Sequence, residues 1–85
     1  MLVVSAVTPT ALSQYDAVRL FIDRARRARP SFELSDANAA AIAQVCYRLD
    51  GIPLAIELAA ARCRQMSAEA ISVDLDDRFH LLTGG

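Results

Sequence analysis

The segment from Pro53 to about Arg64 is apolar on every side of a helix, and this feature constrains the fold more than any other. Its first nine residues read PLAIELAAA, in which Glu57 is the single charged residue. A helix that is apolar all round is normally surrounded by other helices, so the sequence predicts that this one is the centre of a helical bundle. Glu57 should pair with an arginine on a neighbouring helix, because a lone buried carboxylate is costly. A catalytic role for Glu57 is disfavoured, because no second acid, histidine or metal cluster lies at a useful spacing from it.

The composition agrees with a helical fold. The chain has 85 residues, of which 54% are apolar and only 6% aromatic, and alanine and aliphatic residues dominate the apolar share. This mixture favours helix over a sandwich or barrel, so we expect an all-α fold with a small bundle of four to five helices. A chain of this size buries only roughly 60% of its unfolded surface. The apolar content is higher than such a core needs, which indicates a missing partner.

The first twelve residues should differ from the rest. Residues 1–7 are mostly apolar, and Leu2, Val3, Val4 and Val7 resemble a short strand, followed by a loop at 8–10. We therefore expect an extended segment, a former strand or linker, over 1–12. The helical subdomain then covers 13–85. The apolar run is too short for a membrane span and lacks the basic start of a signal peptide. A lone strand cannot satisfy its own backbone, so either it pairs in a sheet that this chain lacks or it is frayed.

Helix one is predicted over about Gln14–Ala28. Ser13 and Asp16 form an S-x-x-D capping pattern at its start, and Pro30 stops it. The helix carries a basic tail just before Pro30, with Arg24, Arg26, Arg27 and Arg29. Two interpretations of these arginines remain open: solvated side chains that complement the helix end, or a patch for phosphate or an acidic partner.

Helix two is predicted to start at a cap on Ser35 or Asp36. Its apolar stripe comprises Ile42, Val45, Cys46 and Leu49. Asp50 and Gly51 should end it, since glycine accepts the left-handed conformation that closes a helix. Pro53 suits the first turn of helix three, where an N–H would be unpaired anyway.

Helix four is predicted to be capped by Ser67. Its apolar positions are Ile71, Val73 and Leu75. A further short turn is expected to begin at Asp76 and Asp77 and to lead to the end of the chain.

Several classes of chemistry are absent from the residue inventory. The formal net charge is −1, so no global positive field would hold nucleic acid or an anionic membrane. All nine basic residues are arginine, which removes both a Schiff-base lysine and a P-loop lysine. Cys46 and Cys63 lack metal-ligand spacing and are predicted to be buried thiols in a reducing cytoplasm, and His80 to be structural or solvent-exposed. We expect no metal site and no enzymatic activity in this chain.

Helices two and three, joined through residues 50–52, could form a helix-turn-helix motif. In that motif the second helix presents polar or basic side chains to the major groove. Here its N-terminal half reads PLAIEL, which offers one acid and no hydrogen-bond donor. The sequence therefore disfavours a DNA-reading role for this turn.

Three segments of the chain resemble motifs of one class of proteins, and they occur in the same order as in that class. Leu49–Arg62 closely resembles the "RLDGLPLAIELAAAR" segment of bacterial signal-transduction ATPases of the NB-ARC/STAND class, with Ile52 where leucine is usual. Ala17–Arg26 looks like the "AVRLFxxRA" helix of those proteins, and Leu75–Gly85 resembles their "LDDRFRLLTGG" segment. Members of this class are typically large regulators that combine a nucleotide-binding module with sensor repeats and often a LuxR-type or related DNA-binding domain.

The resemblance implies a helical lid subdomain that follows a P-loop ATPase core. Its Gly-x-Pro turn would approach the nucleotide, so Gly51, Ile52, Pro53 and Leu54 are the candidate cofactor-binding residues. ADP or ATP would bind in the full-length parent, and no nucleotide is expected on the isolated chain. The implied partner is the parent's nucleotide-binding core, with homo-oligomerisation of the exposed surfaces and with no direct contact to nucleic acid or membrane.

Two alternatives stay open at this point. Gly51 and Pro53 are explained equally well as ordinary helix punctuation, and both roles can hold together. The chain could also be a self-standing helical protein-interaction module, in which the arginine-rich end of helix one docks an acidic partner.

Overall fold

Four α-helices make up the part of the chain that the structure describes, which confirms the all-α expectation. The computed structural model describes the backbone of residues 9–83 and the side chains of residues 15–78. The helices are α1 (Pro9–Ala28), α2 (Asp36–Arg48), α3 (Pro53–Ala61) and α4 (Ala68–Thr83), with a 3-10 turn at Arg62–Arg64.

The helices pack as two pairs around one core. The main packing partner of α1 is α3, that of α2 is α4, and α1 and α2 join the pairs. The core consists of aliphatic residues, two cysteines and Phe21, and the centre of the Phe21 ring lies 6.4 Å from that of Phe32. Its buried residues are Ala17, Phe21, Ala25, Ile42, Val45, Cys46, Ile56, Ala59, Ala60, Cys63, Ala68 and Ile71. No charged or polar residue is buried among those that the structure describes.

The start of α1 corrects the sequence prediction. The helix begins at Pro9, so the extended segment predicted for 1–12 is wrong for residues 9–12, and residues 1–8 lie outside the described part. Proline is favoured in the first turn of a helix, and the alanine and leucine that follow are good helix formers. Ser13 and Asp16 therefore lie inside α1, and the predicted capping box does not start it.

The start of α2 confirms its prediction. The Ser35 hydroxyl accepts a hydrogen bond from the Asn38 N–H, and the Asn38 side chain accepts one from the Ser35 N–H. The two residues thus form a reciprocal capping box. Ile42, Val45 and Cys46 are fully buried, as the apolar stripe predicted.

In α4 the structure differs from the prediction at the far end. The Ser67 cap is confirmed, since its hydroxyl accepts a hydrogen bond from the Ala70 N–H at 3.0 Å. However, no new turn starts at residues 76–77, because Ala68–Thr83 is one continuous helix that contains neither glycine nor proline. Ile71 is buried, but Val73 is 60% exposed and is not a core residue. The prediction for His80 concerns a side chain outside the described residues.

The position of α3 is the main correction to the fold. Ile56, Ala59 and Ala60 are buried against the rest of the bundle, but Leu54 and Leu58 remain 65% and 64% exposed. The helix therefore lies at the side of the bundle, and the prediction of a surrounded central helix is wrong. Within 9–83, none of the helices is long and apolar enough to cross a membrane.

Candidate functional site

The turn between α2 and α3 has a left-handed backbone at two consecutive residues. Asp50 has φ 58° and Gly51 has φ 67°. The Gly51 N–H donates to the Cys46 carbonyl at 3.1 Å, and the Asp50 N–H donates to the Tyr47 carbonyl at 3.0 Å. This pair of bonds is the Schellman closure of a helix. The prediction that Gly51 turns left-handed is confirmed, but Asp50 occupies the position that glycine usually takes.

Pro53 follows this turn directly and is the first residue of α3. Ile52 before it is extended, with φ −70° and ψ 116°, and its N–H donates to the Leu49 carbonyl at 3.1 Å. The N–H groups of residues 50–52 are therefore all used within the chain. A ligand that contacts this turn would therefore meet the surface of Gly51 and Pro53 and no free N–H donor of residues 50–52.

A small pocket opens where this turn meets α1. Its volume is about 150 Å³, and its lining residues are Asp16, Ala17, Leu20, Gly51 and Pro53. Two of the four predicted site residues thus line the pocket. The contribution of α1 was not predicted, although its residues lie in or beside the Ala17–Arg26 segment that carries the second part of the resemblance.

The other two predicted site residues do not line this pocket. Ile52 is 53% exposed and Leu54 is 65% exposed. Leu58, one helical turn beyond Leu54, is 64% exposed as well. We call these three exposed apolar residues, Ile52, Leu54 and Leu58, the outer α3 face. The structure therefore divides the predicted set into two pocket residues and two surface residues.

An ion pair fixes α1 beside α3. The Arg24 Nη2 lies 3.1 Å from the Glu57 Oε2, and its Nε donates to the same oxygen at 3.3 Å. This confirms the prediction that Glu57 pairs with an arginine on a neighbouring helix. Since Ala17 and Pro53 lie beside the pocket and Arg24 and Glu57 pair farther along, α1 and α3 run in the same direction.

The other end of α3 is tied to α4 by a second set of charges. The Asp74 Oδ2 accepts hydrogen bonds from Arg62 and from Arg78, each at 2.9 Å. The bonds from Arg78 and then Arg62 hold the pKa of Asp74 below its ordinary value. Arg48 of α2 also pairs with Asp76 of α4 at 2.8 Å. These contacts are structural ties and lie away from the pocket.

The arginines at the end of α1 are partly engaged within the chain. Arg24 contacts Asp23 as well as Glu57, and Arg27 lies 3.3 Å from the same Asp23 carboxylate. The Arg29 Nε donates to the Ser31 hydroxyl at 3.3 Å. This supports the interpretation that the tail contains ordinary helix-end arginines.

Neither cysteine offers reactive chemistry. Cys46 and Cys63 are free thiols, and both are buried. Burial raises the pKa of Cys46 to about 11, and it also raises that of Cys63, against an opposing effect of Arg29. Both therefore stay protonated at neutral pH and act as small apolar core residues. Among the described residues there is no group of three histidine, cysteine or acidic side chains that could hold a metal ion.

The chain is similar to parts of several mycobacterial proteins. It is 59% identical over 70 residues, or 82% of its length, to a protein of Mycobacterium tuberculosis (strain H37Rv) that is named as a candidate HTH-type transcriptional regulator, Rv0890c. The Mycobacterium bovis protein Mb0914c bears the same description and matches to the same extent. An uncharacterized protein of Mycobacterium tuberculosis, Rv0894, is 49% identical over 78 residues, or 92% of the chain.

These matches concern short stretches of longer proteins. The chain spans 8% of the length of the two named regulators and 20% of the length of Rv0894. No protein-family model matches the chain. No solved structure matches it either. The chain is thus similar to one short segment of each of these longer proteins.

Proposed function

We propose that the chain is a non-catalytic helical lid subdomain of a nucleotide-dependent transcriptional regulator, and that its Gly51–Pro53 turn contacts ADP or ATP in the full-length protein. The observation that carries this proposal is the pocket between the turn and α1, with the outer α3 face beside it. The similarity to named transcriptional regulators supports the regulatory context. The nucleotide itself follows from the resemblance of residues 49–62 to the lid motif.

The geometry of the turn fits a flat base better than a phosphate. The N–H groups of residues 50–52 already donate to carbonyls of the chain, so they are not available to an anion. Proline has no N–H to leave unsatisfied, and its ring is stiff. An adenine ring can therefore pack against Pro53 without stranding a polar group of the turn.

The chain has no lysine and no P-loop segment, so catalysis and phosphate binding would belong to the rest of the protein. In this proposal the nucleotide-binding core covers the outer α3 face when ADP is bound. Exchange for ATP would release the lid and expose that face for self-association of the regulator. The chain itself acts as a moving contact element.

The test uses the full-length protein that contains this chain and compares Pro53→Ala with Pro30→Ala. Pro30 is exposed in the loop after α1 and lies outside the pocket, so it is a matched control. We expect Pro53→Ala to weaken ADP binding about fivefold, the loss of roughly one apolar contact. Titration calorimetry would measure it, and equal ADP affinity in all three proteins would contradict the proposed contact.

A self-standing interaction module is the second candidate, favoured by the exposure of Ile52, Leu54 and Leu58. Under this alternative the outer α3 face would bind a separate protein. The sequence of the parent reading frame discriminates the two candidates: a Walker A lysine upstream of this chain favours the lid, and its absence favours the module.

A further inference from the structure

Two carboxylates lie where the Gly51–Pro53 turn meets the outer α3 face. Asp50 directly precedes the turn, and Asp16 lines the pocket that the turn forms with α1. Both residues are exposed, and neither side chain forms a hydrogen bond or an ion pair with any residue that the structure describes. Two negative charges are therefore left unpaired at this end of α3.

The arginines nearest to these acids in sequence are engaged elsewhere. Arg19 lies over the Tyr15 ring, 5.7 Å from its centre. Arg48 pairs with Asp76 of α4 at 2.8 Å. Since neither guanidinium forms an ion pair with the two acids at the turn, a cation for them would come from another segment or another molecule.

The outer α3 face supplies the apolar part of the same surface. Ile52, Leu54 and Leu58 are 53%, 65% and 64% exposed, and the two leucines are one helical turn apart. Side chains with this spacing lie on one side of a helix, as the anchors of helix contacts do. A segment that covers this face therefore needs apolar side chains of its own along one side.

The charge beside the apolar residues decides which kind of segment fits. Carboxylates at the edge of a contact favour a partner that presents arginine or lysine there, and they reject a partner with acidic groups. Nucleic acid and anionic lipid are disfavoured, because their phosphates would face two negative charges. The complementary segment is amphipathic, apolar along one side and basic where it meets the turn.

We propose that the outer α3 face and the carboxylates of Asp16 and Asp50 form one docking surface for a basic amphipathic segment in the rest of the full-length protein. The chain spans only 8% of the length of the named regulators, so a protein of that size has many segments outside this stretch. A segment of the same protein also has a high effective concentration at this face. The inference rests on the proposed function, in which the nucleotide-binding core covers this face with ADP bound, and it specifies the chemistry of that contact.

The chemistry of the surface is measured on the chain itself with two labelled peptides of about 14 residues, or four helical turns. Both carry leucine at the same helical positions, and one has lysine wherever the other has glutamate. We expect the lysine peptide to bind about tenfold more tightly, as measured by fluorescence anisotropy. Leu54→Ser should weaken binding of the lysine peptide about tenfold, because it removes an apolar contact.

Charge-neutralising substitutions assign the preference to this surface. Asp16→Asn and Asp50→Asn should each weaken binding of the lysine peptide about threefold, as for an exposed ion pair. Asparagine tolerates a left-handed backbone, so Asp50→Asn should keep the turn. The matched control Asp77→Asn removes an exposed acid of α4 outside the pocket and should change nothing. Unchanged melting temperatures by circular dichroism would show that the variants are folded.

The full-length protein tests where the segment comes from. With ADP bound, its own segment should cover the face, so the lysine peptide should bind about tenfold more weakly than it binds the chain alone. Equal binding to both would overturn an occupant within the same protein and would leave the face to a separate partner.

The docking chemistry is wrong if the lysine peptide does not bind, if the glutamate peptide binds as tightly, or if the substitutions at residues 16, 50 and 54 behave like Asp77→Asn. The ADP titration of Pro53→Ala keeps this failure apart from failure of the proposed function. Lost ADP affinity in Pro53→Ala without any peptide preference would mean that the nucleotide contact holds and only the docking chemistry is wrong. If ADP binds to none of the full-length proteins, the proposed function is wrong, and the occupant in the ADP-bound state fails with it.

Discussion

The two faces of α3 have nearly the same composition and opposite environments. Ile56 and Ala60 are fully buried on the inner face, where α3 meets α1 and the 3-10 turn that follows α3. Leu54 and Leu58 are as apolar as Ile56, but they lie on the outer α3 face and are about two-thirds exposed. Burial on α3 is therefore decided by which side of the helix the bundle covers.

This difference explains the high apolar content of a small chain. The inner face of α3 provides apolar side chains to the core, whereas the apolar side chains of the outer α3 face remain exposed. Contiguous exposed apolar residues of this kind mark contact surfaces in other proteins. The exposed apolar side chains of the outer α3 face lie beside the Gly51–Pro53 turn, which belongs to the candidate site.

Two matched truncations on α3, one on each face, should show the largest difference in the free energy of unfolding. Ile56→Ala should lower the free energy of unfolding by about 2–5 kcal/mol, since it leaves a cavity in the core. Leu58→Ala, at 64% exposure, should change it by less than about 0.5 kcal/mol. Urea denaturation followed by circular dichroism measures both. Equal losses would show that the outer face is covered in solution.

A smaller effect is expected at the turn that leads into α3. Gly51→Ala should destabilise the chain by about 1–2 kcal/mol, the ordinary cost of a left-handed residue that carries a Cβ. The cost arises from the backbone, because a Cβ at Gly51 would meet no atom within 4 Å. Asp50→Gly should do the reverse and stabilise by about 0.5–1 kcal/mol, since Asp50 also has positive φ. The same denaturation series checks both, and a stabilising Gly51→Ala would refute the turn geometry.

The smallest effect is a pH dependence at the opposite end of α3, where Asp74 joins Arg62 and Arg78. The folded-state pKa of Asp74 is depressed, so its contribution to stability is present above the unfolded value of 3.8. That contribution is lost as the pH falls through the lower folded-state pKa. The stability difference between the wild-type chain and Asp74→Asn should therefore shrink on acidification. A difference that stays constant down to pH 2 would mean that the carboxylate is not bonded in solution.

Local signals predicted much of the fold. The Ser35 cap, the Gly51 turn, the Pro53 start and the Ser67 cap each depend on groups within a few residues, and the structure contains all four. The Arg24 partner of Glu57 was predicted only as an arginine of a neighbouring helix. Its identity could not be predicted, because the two residues are 33 positions apart.

Local signals also misled where two of them competed. Ser13 and Asp16 form a good capping pattern, but Pro9 starts the helix earlier and places both residues inside it. Asp76 and Asp77 resemble a helix start, yet no residue breaks α4 before them. For the candidate site, the motif at residues 49–62 predicted the Gly51–Pro53 turn but not the residues of α1 that line the pocket with it.

The sequence by itself determined the class of structure, the helix-ending chemistry and the inability of this chain to supply a P-loop lysine, because each depends on residue type and short-range spacing. Only the tertiary structure decided which side of α3 is covered and which residues of α1 line the pocket beside Pro53. Those outcomes depend on how helices far apart in sequence pack together. When a helix is apolar on all sides, its sequence pattern does not predict which side the rest of the chain will bury.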